Sequence, residues 1–143
     1  MSVDMLIVNG DISLDQDGAP VTIKDNLKLE QDVKKIAVTE QGTNRFHPWY
    51  GNAVGLATVG KTNHVFSTLR QSASATLEQS LANLILLQRH QRQSQIVTPQ
   101  ELILSVRDVN IEQDMIDPRQ INISFTVLTE ALEELTNSLA IIT

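Results

Sequence analysis

Hydrophobic and polar positions follow two rhythms along this chain, one helical and one strand-like. From 25 to about 38, Leu29, Val33, Ile36 and Ala37 fall on one stripe, with Lys28, Asp32, Lys34 and Lys35 on the wet side. That period predicts an amphipathic helix, with Asp25 or Asn26 as its cap. Residues 64–93 repeat the pattern with Phe66, Leu69, Ala73, Leu77, Leu81, Leu84 and Ile85, uninterrupted by Gly or Pro. At ~1.5 Å per residue this second helix would span about 40 Å.

The strand rhythm appears at both ends. Met5 to Val8 is a short apolar run closed by Asn9-Gly10, a strong hairpin signal. Ile12 and Leu14 then share a face, Gln16-Asp17-Gly18 turns the chain, and 21–23 reads as one more short strand. In 101–113, Leu102, Leu104 and Val106 are in phase, whereas Val109 and Ile111 are out of phase. A bulge near Arg107-Asp108 restores the register. After the turn at Asp117-Pro118, Ile121, Ile123, Phe125 and Val127 alternate with Asn122, Ser124 and Thr126, predicting a hairpin with one buried face. The tail supports two readings: Leu132, Leu135, Leu139 and Ile142 have helical spacing, while 138–142 also suits a strand. The expected fold is therefore a single α+β domain over 1–143. It has a small N-terminal β-meander, two main helices, one of them long, and an antiparallel C-terminal hairpin with a possible extra terminal strand.

Between the helices, 39–63 breaks both rhythms. It holds Gly42, Gly51, Gly55 and Gly60, together with Pro48 and the chain's one Trp and one Tyr, Trp49 and Tyr50. A structured loop of this length usually carries function, and its aromatics need somewhere to pack.

Composition narrows the chemistry. A chain of 143 residues with 41% hydrophobic content can bury a core without staples. The absence of cysteine excludes disulfides, thiolate metal sites and a Cys nucleophile. A net charge of -6 argues against nucleic acid and anionic membrane as partners. Neither a signal peptide nor a run of about 18 apolar residues is visible, so synthesis in a cytoplasm is expected.

Catalytic patterns are sparse. His47, His64 and His90 lack metal-pair spacing, and no Gly-x-Ser-x-Gly elbow occurs. Gly55 to Thr62 matches Gly-x-x-x-x-Gly-Lys-Thr, but the preceding residues carry Pro48 and Gly51 where a phosphate loop requires a strand. Seventeen acidic residues allow some glycosidase-like pair to be nominated anywhere, which gives the pattern no weight. Arg89, His90 and Arg92 suit a helix C-terminus, or less simply an acidic partner. No cofactor, metal site or catalytic residue is expected. The alternatives to a structural role are a small phosphate-loop or cell-wall enzyme, or an assembly chaperone that does not stay with what it helps to build.

The loop Thr39-Glu40-Gln41-Gly42-Thr43-Asn44-Arg45-Phe46-His47-Pro48-Trp49-Tyr50-Gly51 resembles the Thr-x-x-Gly … Pro-x-aromatic-Gly loop of a baseplate wedge family. That family occurs in contractile-tailed phages, R-type pyocins and type VI secretion systems. It is sometimes labelled lysozyme-related without implying lytic activity. Gly10 to Ile12, the helix before the loop and Thr98-Pro99-Gln100-Glu101 extend the likeness over nearly the whole chain. The resemblance implies a non-enzymatic structural protein of the virion tail baseplate, in sixfold arrangement. Its implied partners are other wedge proteins, the tail sheath subunit, and tube or hub proteins. It also implies a wedge-contact loop of Gly42, Arg45, Phe46, Pro48, Trp49, Tyr50 and Gly51. Sheath docking by strand exchange would fall on Ile121, Ile123, Phe125 and Val127, or on Leu139 and Ile141. Many relatives carry Glu-Pro-Arg where this chain has His47-Pro48-Trp49. The missing acid and base leave stacking by Trp49 and Tyr50 as the expected wedge contact.

Overall fold

The computed structural model describes residues 2–53 and 66–142. The chain begins with two nested hairpins. Strand β1 (Asp4–Met5) pairs with β4 (Thr22–Ile23), and β2 (Ile7–Val8) pairs with β3 (Asp11–Ile12). The Asn9-Gly10 turn joins β2 to β3 with positive φ at both residues, as a two-residue hairpin requires. This arm buries little of its own apolar surface: Val3, Met5, Ile7, Val8, Ile12 and Leu14 are all exposed. It is tied down instead by polar contacts to the first helix. Gln31 Nε2 donates to Met5 O at 2.8 Å and to Asp4 Oδ2 at 3.0 Å, and its Oε1 accepts from the Ile7 N–H at 2.8 Å. Lys35 adds an ion pair with Asp4.

Helix α1 (Asp25–Val38) runs along the predicted stripe and buries Leu29, Val33, Ile36 and Ala37. Its start differs from the expected side-chain cap. Lys24 occupies the N-cap position, and Asp25 stands at φ +53°. The Asp25 N–H is served from across the fold by Glu101 Oε1 at 3.4 Å, while Thr98 Oγ1 donates to Asp25 Oδ1 at 2.8 Å. Glu101 belongs to the one-turn helix Pro99–Glu101, and its other carboxylate oxygen accepts from the Thr98 N–H at 3.1 Å. A remote carboxylate thus stands where a local cap was expected, and local spacing cannot reveal such a partner.

Helix α2 (Phe66–Ser94) buries Ala73, Leu77, Leu81 and Leu84. Its Gln88 is also buried, donating to Glu101 O and accepting from the Ile103 N–H, each at 2.9 Å. The remainder is a three-stranded antiparallel sheet, β5 (Ile103–Gln113), β6 (Gln120–Thr129) and β7 (Glu134–Ile142), in that spatial order. The bulge expected near Arg107-Asp108 is present. The register shifts by one residue between Arg107 and Asn110, and Asp108 takes φ +53°. A second irregularity between Ile103 and Ser105 turns Leu104 outward, so Leu102 and Leu104 do not share a buried face. The tail is a strand over nine residues, and its helical spacing is incidental.

Both helices lie over one sheet face, α2 across β5 and α1 across β7. Their stripes meet Ile103, Ile111, Ile121, Ile123, Phe125 and Val127 in one core. Asn122, Ser124 and Thr126 occupy the opposite, partly exposed face of β6. Among the described residues, no helix is long and apolar enough to cross a membrane.

Candidate functional site

Two regions hold the candidate residues singled out from the sequence: the loop after α1, and strands β6 and β7, of which β7 borders α1. The loop is stapled at its base. Thr39 ends the helix, its N–H and hydroxyl both bonding Lys35 O, at 3.0 and 2.6 Å. The Asn52 N–H donates to Thr39 O at 2.8 Å, and the Gln41 N–H donates to Asn52 O at 2.9 Å, closing a short parallel bridge. The Asn52 side-chain amide donates to Ala37 O inside the fold. Gly51 sits at φ +107° in this clasp, where an added Cβ would come within 2.5 Å of Thr39 O. Only glycine fits, for steric and conformational reasons together.

The loop's course above the clasp is also fixed. Gly42, at φ +91°, lies in the turn closed by the Thr43 N–H to Glu40 O bond at 3.3 Å. Asn44 Oδ1 accepts the Phe46 and His47 N–H groups at 3.0 and 3.2 Å, and the Tyr50 N–H donates to His47 O at 2.9 Å. Gln41 and Asn83 both reach Trp49 O, the latter from α2. The rings meet edge to face: His47 and Trp49 are 5.6 Å apart, and Trp49 and Tyr50 are 6.3 Å apart. Phe46 is 86% exposed; Arg45, His47 and Pro48 are exposed too. Tyr50 faces inward, half-buried against the core. Burial, followed by the nearby Asp32 and Asp4 charges, holds its phenol above the usual range.

The loop residues singled out by sequence therefore divide by role. Gly42 and Gly51 shape the backbone, Tyr50 anchors it, and Arg45, Phe46, Pro48 and Trp49 form the outward face. Sequence reasoning missed Asn52, Gln41 and Asn83, polar residues whose partners are main-chain groups and leave no spacing signal.

The strand residues divide as well. Strand β6 is paired along both edges, and Ile121, Ile123, Phe125 and Val127 are buried beneath the helices. The expectation that 121–129 could offer an edge is corrected by this central position. β7 is a true edge: no strand among the described residues covers its outer side. Leu139 and Ile141 are half-buried on its helix-facing side. Along that edge runs an open cleft of about 330 Å³ between α1 and β7, lined chiefly by Val33, Ala37, Val38, Phe125, Asn137 and Leu139.

A further exposed feature had no sequence signal. Met115 and Ile116 stand fully in solvent at the β5–β6 tip. Asp114 accepts the Ile116 and Asp117 N–H groups, at 3.0 and 2.9 Å, and Asp117 accepts that of Arg119, at 3.0 Å. Those main-chain bonds hold both carboxyls below the usual range.

No group of three or more His or acidic side chains poised for a metal occurs among the described residues. His47 and His90 are exposed, and Arg92 pairs with Glu130 at 3.3 Å on the surface. His64 and the Gly55 to Thr62 glycine motif lie outside the described residues.

No protein-family model matches the chain, and no curated protein does. Among solved structures, it shares its fold with a "putative tail lysozyme" from Geobacter sulfurreducens. The TM-score is 0.50 at 11% identity, over 81% of this chain and 88% of the other.

Proposed function

We propose that this chain is a structural protein of a contractile tail baseplate. In this reading it joins wedge proteins through the aromatic loop and offers β7 as the docking edge for the first sheath subunits. The observation that carries the reading is the free edge of β7 with an open apolar cleft beside it. Edge strands in isolated soluble proteins are normally blunted or covered, and an edge left open beside an apolar cleft suits strand addition. Main-chain hydrogen bonds supply the affinity, and the cleft supplies the selectivity.

The loop supports the same reading. Exposed aromatics on a braced backbone lose little entropy on binding, which favours them as interface anchors. The fold shared with a protein named "putative tail lysozyme" fits this setting. A non-catalytic role is favoured over the lysozyme in that name, because glycoside hydrolysis generally needs two carboxylates flanking one cleft. Four clefts formed by described residues each carry one carboxylate or none.

The test is co-expression with the sheath subunit encoded in the same genome, followed by electron microscopy of the purified product. The reading expects a stable complex with rings or short sheaths growing from one end. Two folded proteins that never associate would overturn the sheath-docking role.

A further inference from the structure

The β5 side of the sheet carries a knob and a hollow that the proposed function does not use. The knob is the β5–β6 tip, where Met115 is 100% and Ile116 94% exposed. Turns normally favour small or polar side chains at such positions. The backbone beneath them is closely tied. Besides the bonds accepted by Asp114 and Asp117, the Asp114 N–H donates to Gln120 O and the Gln120 N–H to Asp117 O, each at 2.9 Å. Gln113 Nε2 also donates to Pro118 O at 2.6 Å. Two apolar side chains on so braced a turn lose little backbone freedom when they are covered. Glu112, Asp114 and Asp117 flank them along the chain, against one guanidinium, Arg119, which already contacts Asp117 at 3.3 Å.

The hollow is an open cleft of about 440 Å³ between the first turns of α2 and β5. Ile111 lies at its base, Phe66 and Val109 are half-buried in its walls, and Arg70 and Gln71 are exposed beside it. Its lining holds no acidic side chain, and Arg70 makes no ion pair among the described residues. An apolar knob with an acidic collar thus stands on the same molecule as an apolar hollow with an unpaired cation.

Knob and hollow do not meet within one chain. Ile111 and Met115 are separated by about 13 Å of extended strand, and the main-chain bonds of the tip keep it in line with β5 and β6. A second copy turned antiparallel brings its tip to this cleft, and the same two-fold rotation carries this tip to the other cleft. A lipid surface suits the tip poorly, because insertion would desolvate the adjacent carboxylates and anionic headgroups would repel them.

We propose that two copies of this chain pair by reciprocal insertion of the β5–β6 tip. Met115 and Ile116 of each copy fill the cleft of the other, and Arg70 faces the carboxylates of Asp114 and Asp117. The pairing uses the β5 side of the sheet and leaves the edge of β7 open, so it does not rest on the proposed sheath docking.

Sedimentation equilibrium of the full chain should show a species of twice the 15.9 kDa chain mass. A chain that stays monomeric at every soluble concentration overturns the pairing. Met115→Ser combined with Ile116→Ser, and separately Arg70→Glu, should each weaken dimerisation about tenfold. These positions are exposed, so both variants should keep the amide spectrum of the parent fold. Association that either variant leaves unchanged overturns the proposal. The decisive arm mixes the two variants. A mixed pair keeps one intact contact, the unaltered tip of the Arg70→Glu chain in the unaltered cleft of the tip variant. It should therefore form at least about fivefold more tightly than either variant pairs with itself. No gain on mixing means that tip and cleft do not meet, and the proposal fails. A monomeric chain that binds phosphatidylcholine vesicles, or the sheath subunit, only while its tip is intact would assign the tip to that partner and overturn the pairing as well.

Discussion

The C-terminal sheet and the loop after α1 are both well determined, but by different physics. The sheet is held by area: Ile121, Ile123, Phe125 and Val127 bury one face of β6 under two helices, and other apolar residues of similar volume would serve. The loop is held by atoms: one glycine without a Cβ, one buried asparagine and a set of main-chain bonds. Burial fixes the interior whatever partner arrives, while hydrogen-bonded loops can hold aromatics out in solvent. In the role proposed above, the two regions divide the work. The sheet contributes an edge, and the loop contributes side chains.

Substitutions can break this comparison at either end. The largest effect belongs to Phe125, among the largest fully buried side chains. Phe125→Ala should lower stability by roughly 3–5 kcal/mol through lost burial and a residual cavity. Chemical denaturation measures it, and a loss below ~1 kcal/mol would mean that the helices do not close over the sheet. Next comes Gly51→Ala, which forces a Cβ against Thr39 O and strains a positive φ. It should cost roughly 2–3 kcal/mol and collapse the loop while leaving the sheet intact, read as amide-exchange protection lost at 39–52 and retained in β6. Asn52→Ala should follow at roughly 1–2 kcal/mol, since it leaves a buried Ala37 carbonyl without its side-chain donor.

The same contrast decides what was legible in the sequence. Period-two alternation exposed β6 fully, and the phase slip between Val106 and Val109 located the bulge, because burial writes itself at fixed spacing. The tail was ambiguous because Leu132, Leu135, Leu139 and Ile142 fit a helix equally well; pairing with β6 decided it. Aromatic and glycine content marked the loop but not its clasp. Asn52, Gln88 and Glu101 act on main-chain atoms far away in sequence, and such partners carry no period. The edge position of β7 and the central position of β6 are properties of strand order, which alternation does not encode.

A smaller effect concerns the N-terminal arm, which resembles the loop in relying on polar contacts. Burial works against ionisation of Asp4, but the hydrogen bonds and charge supplied by Lys35, Met5 and Gln31 outweigh it and hold the carboxyl below its usual range. A depressed carboxylate stabilises the fold above its unfolded-state value, near pH ~3.9, and loses that contribution as pH falls through the folded value. Melting temperature should therefore fall below about pH 4, and Asp4→Asn should flatten the fall. The change should be modest, because the pair is partly solvated. Identical acid profiles for both proteins would mean that Gln31 alone secures the arm.

The smallest effect on stability is expected at Phe46, and that makes it the sharpest probe of the loop's purpose. The side chain is 86% exposed, and its backbone N–H is already held by Asn44. Phe46→Ser removes an aromatic face without touching that bond, so stability should change by no more than about 0.5 kcal/mol. Any loss of wedge assembly in this variant is then a lost contact rather than a lost fold. Combining Phe46→Ser with Val38→Lys sharpens the point. If the loop and the β7 edge meet different partners, each substitution should impair one association and leave the other intact. If both face one partner independently, their binding losses should add. Assembly that proceeds unchanged in Phe46→Ser would reduce the loop to a brace for Tyr50 and leave the edge of β7 as the working surface.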